Sequence, residues 1–282
     1  MIVVDCNYLG HVCRHSQPIA LSHNGKRTEV ILSFLQQIAN LPVLLGQNKF
    51  VFCWDSRHSI RKSLRAEYKS NRGQYKTDEE RAAAMAAFEQ FDELRTAVLP
   101  DLGFSNVVHQ YGYEGDDLIA SAVNCSADAS NVVVSNDKDL YQLLGKCKMF
   151  NAVSKTSTTA IEFKRTWRIE PEQWAQVKAI SGCTGDVVVG VPGIGDKRAA
   201  AYLRGELSGS YASKIAAAKH TIASNTRLVK LPLGGTIKVI AKRDQLTTDK
   251  YKCVCSRYGL ASLLSDKAVR KWEQCVCRSV GQ

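Results

Sequence analysis

No apolar run in this 282-residue chain approaches the roughly 18 to 20 residues that a membrane span requires, so no membrane partner is expected. The N-terminus opens on a strand-like MIVVD, without the basic region and apolar stretch of a secretory signal. Internal repeats and low-complexity linkers are also lacking. The ten cysteines are scattered rather than framed, and a chain of this size does not need disulfides to fold. Cys6, Cys53 and Cys183 lie in or beside apolar segments and read as buried thiols, which points to a reduced, cytoplasmic protein. The length allows two modest domains or one large one.

The acids, too, lack something. Asp5, Asp55, Glu114, Asp116, Asp117, Asp137 and Asp139 have no evident basic partner in the sequence. Three of these groups follow short apolar runs: Ile2-Val3-Val4, Phe50 to Trp54, and Val132-Val133-Val134. In open α/β sheets ligands bind outside the carboxyl ends of the strands, so these side chains are expected to converge on one crevice. Two carboxylates about 4 Å apart repel by roughly 4 kcal/mol at an effective dielectric near 20. Such a cluster needs cations, and an all-oxygen donor set suits Mg²⁺ or Mn²⁺ better than zinc.

Charge is divided unevenly along the chain. Residues 164–282 hold 21 Lys and Arg against 9 Asp and Glu, whereas residues 1–163 hold 17 against 18. A near-neutral half with an acidic cluster is thus joined to a strongly basic half. A basic excess of this size favours a polyanion through phosphate neutralisation and counterion release; the plainer alternative is a basic surface that aids solubility.

Short β-branched runs alternate with helical patterns in the first half, the signature of a sheet covered by helices. Residues 28–45 place Val30, Ile31, Phe34, Leu35, Ile38 and Leu41 at helical spacing. Residues 78–97, 114–124 and 139–144 read as further helices. Beyond residue 165, 170–180 and 197–204 read as two helices separated by a glycine turn, as in helix-turn-helix elements. The basic tail has no legible order.

Several constellations carry chemistry. EGDDLIA places Glu114, Asp116 and Asp117 at a helix start, where capping alone would account for one or two acids. SNDKDL puts Asp137 and Asp139 after a strand, where an Asx-turn is the simpler reading. Two metal ions held by such a set could activate a water and stabilise the leaving oxygen of a phosphodiester. In GVPGIGDKR, Gly190, Gly193 and Gly195 allow close backbone approach to a phosphate or ion, and Lys197 and Arg198 enter a helix N-terminus. In WDSRHSIRKSLRAEYKSNR, the cations Arg57, Arg61, Lys62, Arg65, Lys69 and Arg72 recur at spacings that put many on one side of a helix. Tyr68 among them could stack on a base. Cys253-x-Cys255 and Cys275-x-Cys277 have a tighter spacing than most zinc sites and read as reduced cysteines.

Together VVDCN, the WDSR…RAEYKSNR block, EGDDLIA, SNDKDL and GVPGIGDKR, in this order from Ile2 to Arg198, resemble the 5′-nuclease superfamily of flap endonucleases and 5′→3′ exonucleases, in its free-standing bacterial or phage form. The resemblance implies an α/β fold: a PIN-like twisted sheet between helices over residues 1–163, with a helical arch near 57–97 that passes a single-stranded 5′ end. It implies a basic helical DNA-binding domain over 164–282, with a helix–three-turn–helix element near 174–204. By position, Asp5, Asp55, Glu114, Asp116 and Asp117 resemble the first metal group, and Asp137, Asp139 and Asp186 the second. Lys69 and Arg72 resemble the catalytic cations that contact the scissile phosphate. Tyr68, Arg57, Arg61, Arg65, Gly190, Gly193, Gly195, Lys197 and Arg198 are the expected DNA contacts, with K⁺ at the glycine loop.

The chain departs from the pattern where relatives read G-D-x-x-D-N. Here Cys183 stands for the first aspartate and Val187 for the asparagine, which implies a weakened second metal site. No polymerase domain and no clamp-binding peptide of the Gln-x-x-Leu-x-x-Phe-Phe kind are evident. The expectation is a monomeric, Mg²⁺-dependent nuclease acting on branched or nicked duplex DNA with a 5′ single strand, in replication or repair. The rivals are a DNA-binding protein whose hydrolysis has decayed, and a ribonuclease on the same acidic core.

Overall fold

Alternation of apolar side chains across short strands builds a sheet with a core on each face. The computed structural model describes residues 1–16, 19–128 and 130–280, with side chains to residue 274. Its first part runs β1 (Ile2–Asp5), α1 (Cys6–Ser16), the ribbon β2 (Ser22–His23) and β3 (Lys26–Arg27), α2 (Glu29–Leu45), β4 (Phe50–Trp54), α3 (Arg61–Leu64), α4 (Asp78–Glu93), α5 (Leu99–Leu102), β5 (Val107–His109), α6 (Gly115–Cys125), β6 (Asn131–Val134), β7 (Cys147–Phe150), β8 (Ser157–Thr158) and α7 (Ala160–Trp167). The six-stranded sheet has the order β5-β4-β1-β6-β7-β8. All its pairings are parallel except the β7–β8 edge. The chain leaves β1 for β4 on one side and returns to β6 on the other, so the strand order reverses beside β1.

One face carries Ile2, Val4, Phe50, Phe52, Trp54, Val132 and Val134 against α1 and α2. The other carries Val3, Val51, Cys53 and Val133 against α6. In α2 the apolar positions read from the sequence are all buried, and Gly46 ends the helix in the left-handed region at φ 68°. Phe34 of this helix stacks on Trp54 at 6.1 Å. Each fully buried side chain of this size contributes about 1.5–3 kcal/mol.

The second part comprises α8 (Trp174–Ser181), the hairpin β9 (Gly182–Cys183) and β10 (Val188–Val189), α9 (Asp196–Leu203), α10 (Gly209–Ala217), α11 (Lys219–Val229), α12 (Thr248–Arg257) and α13 (Asp266–Val280). A boundary at 163/164 does not separate two cores. Residues 237–246 run back over the first part, where Ser121 Oγ donates to the Ile237 carbonyl at 2.6 Å and Asn106 Nδ2 to that of Lys242 at 2.9 Å. Tyr251, Val254, Cys255 and Trp272 of α12 and α13 then join the core beneath α2. Trp272 stacks on Tyr251 at 4.4 Å and meets Phe104 edge-on. The tail is therefore part of the sheet's covering layer.

Other sequence expectations change in detail. Residues 139–144 form a single 3₁₀ segment, Lys138–Leu143, with Asp137 as its cap. The helix from 78 passes through a π-helical turn, Leu94–Val98, into α5. Residues 57–72 are not one basic helix: only α3 is helical, and Lys69 takes the left-handed conformation at φ 54°. The segment expected to arch divides in two. Residues 71–82 are exposed throughout, whereas Ala84, Ala87, Gln90 and Phe91 of α4 are buried. Gln90 Oε1 accepts from the Val30 amide at the head of α2. Among the described residues no helix is long and apolar enough to cross a membrane.

Candidate metal and phosphate site

The carboxyl ends of β1, β4 and β6 deliver the acids to one crevice, as their positions after apolar runs predict. Asp5 closes β1, and its carboxylate accepts from the Tyr8 amide at 2.9 Å and from Ser135 Oγ at 2.8 Å. Asp55 follows β4 and accepts from the Gly115 amide at 2.6 Å, while Asn7 Oδ1 accepts from the Asp55 amide. A Cβ on Gly115 would stand 3.0 Å from Asp55 Oδ1, so glycine there lets the start of α6 close on this carboxylate. Asp137 Oδ1 accepts from the Asp139 amide at 2.8 Å, the expected Asx-turn.

Pairing with cations separates the acids into two classes. Among the described residues, no Lys or Arg nitrogen lies within 4.0 Å of Asp5, Asp55, Asp116 or Asp137. Burial, then Asp55, pushes the Asp5 carboxyl up to about 7. Burial, then Asp137 and Asp5, raises Asp116 well above the carboxylate range, and burial likewise raises Asp55. Asp5 and Asp116 are crowded with like charge, Asp55 feels Lys69 as well as Glu114, and backbone or hydroxyl donors orient Asp5, Asp55 and Asp137. Their hard oxygen donors fit a divalent cation such as Mg²⁺ or Mn²⁺.

The remaining acids have partners that the sequence did not reveal. Asp117 is a correction to the expected first metal group. It is 0% exposed and forms a two-pronged pair with Arg61, at 2.6 and 2.8 Å. It also accepts from the amides of Leu233 and Glu114, the latter closing a capping box on α6. Its lone pairs are spent on structure. Glu114 accepts from Ser59 Oγ at 2.8 Å, Tyr68 Oη at 3.1 Å and Lys69 Nζ at 2.6 Å. Burial pushes its pKa up, but Lys69 and Arg61 outweigh burial and hold it low. Asp186 pairs with Arg72 at 2.8 Å and lies 3.9 Å from Lys69. Asp139 lies 3.6 Å from Lys178; burial, then Asp137, still lifts it to about 6.

A second cluster lies beside the first. One donor atom each of Asp139, Cys183 and Asp186 falls within 4.8 Å of the other two. Burial, then Asp139 and Asp186, pushes the Cys183 thiol up to about 12. Val187 takes the left-handed conformation at φ 57°, which a β-branched residue adopts only under strain.

Three of the expected DNA contacts are corrected. Arg61 is 1% exposed and also donates to the Leu228 carbonyl. Arg65 donates to Asn225 Oδ1 and Ser224 Oγ on α11. Tyr68 is 3% exposed, with its hydroxyl on Glu114 and Asp186, and no face free to stack on a base. These three tie the 57–72 segment to α6 and α11. Arg57 and Arg72 remain 70% and 56% exposed, Arg57 beside Asp92.

Within the glycine loop the roles differ. A Cβ on Gly190 would fall 2.2 Å from the Ser181 carbonyl, so this glycine closes the β9–β10 hairpin. Gly193 needs its φ of 79°, and its carbonyl accepts from Arg198, whose guanidinium lies 4.1 Å from the Tyr211 ring centre. Gly195 caps α9 with nothing within 4 Å of where a Cβ would stand. Lys197 is exposed. The sequence missed Asn7, Ser59, Ser135 and Lys178, which orient or pair with the acids. Cys255 is buried and Cys253 exposed, while the side chains of Cys275 and Cys277 lie outside the described residues.

Residues 1–170 match the family model described as 5′-3′ exonuclease, N-terminal resolvase-like domain. A 5′-3′ exonuclease of Halalkalibacterium halodurans is 34% identical over 154 residues, 52% of this chain and 48% of that protein. A 5′-3′ exonuclease of Mycoplasmopsis pulmonis is 30% identical over 202 residues, 70% of this chain and 64% of that protein. The chain thus spans about half to two thirds of the length of these curated relatives. The flap endonuclease of bacteriophage T5, solved in a complex with DNA and metal ions, superposes with a TM-score of 0.69 at 20% identity, covering 100% of this chain and 99% of that one. That likeness establishes the fold.

Proposed function

This chain belongs to the 5′-3′ exonuclease family through its N-terminal resolvase-like domain, and from that premise we propose that it is a structure-selective, Mg²⁺-dependent nuclease. It hydrolyses DNA phosphodiesters at 5′ flaps, nicks or ends, in replication or repair. The observation that carries the reading is the set of four carboxylates, Asp5, Asp55, Asp116 and Asp137, gathered at the carboxyl edge of a parallel sheet with no Lys or Arg nitrogen within 4.0 Å of them among the described residues. Such a group is costly unless ions share it.

When bound there, divalent ions supply Lewis-acid chemistry, neutralising phosphoryl oxygens and activating water. The side chains do the rest. Ser135, Tyr8 and Gly115 hold Asp5 and Asp55 in fixed orientation. Lys69 and Arg72, held by Glu114 and Asp186, present positive charge at the rim of the same crevice. There they steady the scissile phosphate and the charge that develops on it. The exposed 71–82 segment and Arg57 border the path of a 5′ single strand. Gly193, Gly195, Lys197 and Arg198 grip duplex backbone at the start of α9, with K⁺ on the loop carbonyls.

The partner is branched or nicked duplex DNA, bound by a monomer. A ribonuclease confined to the acidic core would not need the basic layer that α8 to α13 add. The test is cleavage of a 5′-labelled flap duplex beside an unbranched duplex of the same sequence, in Mg²⁺, Mn²⁺ and EDTA at constant ionic strength. Metal-dependent release of short 5′ products from the flap supports the reading. Tight, salt-sensitive binding without product in either metal overturns it in favour of a DNA-binding protein.

A further inference from the structure

The Asp139, Cys183 and Asp186 cluster differs from the neighbouring carboxylates in donor chemistry and in charge. Its donor atoms lie within 4.8 Å of one another, yet one of the three is sulfur. Each carboxylate already faces a cation: Asp139 faces Lys178 at 3.6 Å, and Asp186 faces Arg72 at 2.8 Å and Lys69 at 3.9 Å. Lys178 has one further acidic neighbour, Asp196 at 3.8 Å. Part of the attraction such a group offers any dication is therefore taken up by the protein's own cations, which leaves the donor atoms, not the charge, to set which ion is preferred.

The scaffold is also rigid. Cys183 pairs with Val188 across the β9–β10 hairpin, and Asp186 follows in the turn between the two strands. At Gly182 and Gly190 an added Cβ would stand 2.4 and 2.2 Å from main-chain carbonyl oxygen. The thiol is fixed beside the carboxylates rather than presented on a mobile loop.

Mg²⁺ demands an octahedron of oxygen and dehydrates reluctantly. Two engaged carboxylates and a sulfur do not meet that demand. Thiolate donors instead favour softer first-row ions. We infer that Asp139, Cys183 and Asp186 form a thiolate-containing site that takes Zn²⁺ or Co²⁺ in preference to Mg²⁺, so that the two halves of the metal centre differ in metal preference. As the ion binds, the Cys183 proton passes to solvent and the sulfur donates to the metal. The inference rests on the proposal that the adjacent acids form a metal centre.

The experiment is a Co²⁺ titration of the DNA-free protein, following the near-ultraviolet sulfur-to-cobalt charge-transfer band, on wild type, Cys183→Ser and Cys183→Asp. The wild type is expected to develop the band and keep it in equimolar Mg²⁺. Cys183→Ser is expected to lose the band and at least ~10-fold in Co²⁺ affinity, ligand-shell changes costing about that much or more. Cys183→Asp is expected to lose the band while gaining competition from Mg²⁺. The exposed Cys125 and Cys253 provide the internal control, since a band retained in both variants comes from other thiols and overturns the inference. So does displacement of Co²⁺ by equimolar Mg²⁺ from the wild type. Mn²⁺ binding is measured in parallel. Mn²⁺ uptake that Asp116→Asn removes, with no cobalt band at any point, defeats the thiolate site alone; no uptake of either ion defeats the metal-centre reading with it.

Discussion

Asp117 separates the account from the family-based expectation, because its neighbours in the chain fit a metal centre whereas its contacts do not. Replacing it with asparagine keeps the shape but removes the charge that opposes Arg61, a guanidinium that is 1% exposed. Two short charge-assisted bonds weaken together, and the acceptors for the Leu233 and Glu114 amides are disturbed. Removing one partner of a buried ion pair costs about 3–5 kcal/mol, a large share of the ~5–15 kcal/mol that holds a domain folded. For a domain of 150–250 residues each kcal/mol shifts Tm by roughly 2–4 °C. Asp117→Asn should therefore lower Tm by about 6–20 °C while Mn²⁺ affinity stays within ~3-fold of wild type. Asp116→Asn, at a carboxylate with no Lys or Arg nitrogen within 4.0 Å among the described residues, should show the reverse: Tm retained or raised, and Mn²⁺ affinity down at least ~10-fold. Thermal unfolding and Mn²⁺ titration at one pH measure both. If Asp117→Asn unfolds normally and loses the metal, the structural role assigned to Asp117 is wrong.

Other consequences are simpler to state. The Asp5 carboxyl, near 7 in the folded chain, and Asp139, near 6, both lie above their ordinary value. Metal-free protein should then be most stable when they are protonated and lose stability as pH rises from about 4, the ordinary carboxyl value, through about 7, as both ionise in the folded chain; Tm measured with EDTA checks this, and Mn²⁺ should remove most of the loss at pH 8. Val187→Asn should relieve the left-handed strain and stabilise by ~1 kcal/mol in urea unfolding. Gly190→Ala should destabilise, its Cβ falling 2.2 Å from the Ser181 carbonyl. Gly195→Ala should leave Tm unchanged within about 1 °C and weaken duplex binding in a salt-titrated gel-shift assay.

The sheet, α2 and the convergence of acids were legible because strand alternation, helical spacing and the strand-end rule act locally. Asp5 after Ile2-Val3-Val4 needs no distant information to be placed. What the sequence concealed depends on partners far along the chain. Arg61 meets Asp117 and Leu228 only after the fold closes sequence separations of 56 and 167 residues. A run of cations therefore looked like a DNA-facing helix when several of them staple the site. Tyr68 looked like a stacking residue for the same reason. The tail was unreadable because α12 and α13 are specified by the groove they fill beside α2, not by their own pattern.

The central claim is that Asp5, Asp55, Asp116 and Asp137 hold the ions that hydrolysis needs. Its most direct test is single-turnover cleavage of a 5′-labelled flap duplex by wild type and Asp116→Asn, with DNA affinity measured on the same preparations. The variant is expected to bind DNA as tightly as wild type or more tightly, and to lose at least ~10²-fold of product in Mg²⁺ and in Mn²⁺. Cleavage by Asp116→Asn at the wild-type rate in either ion would contradict it.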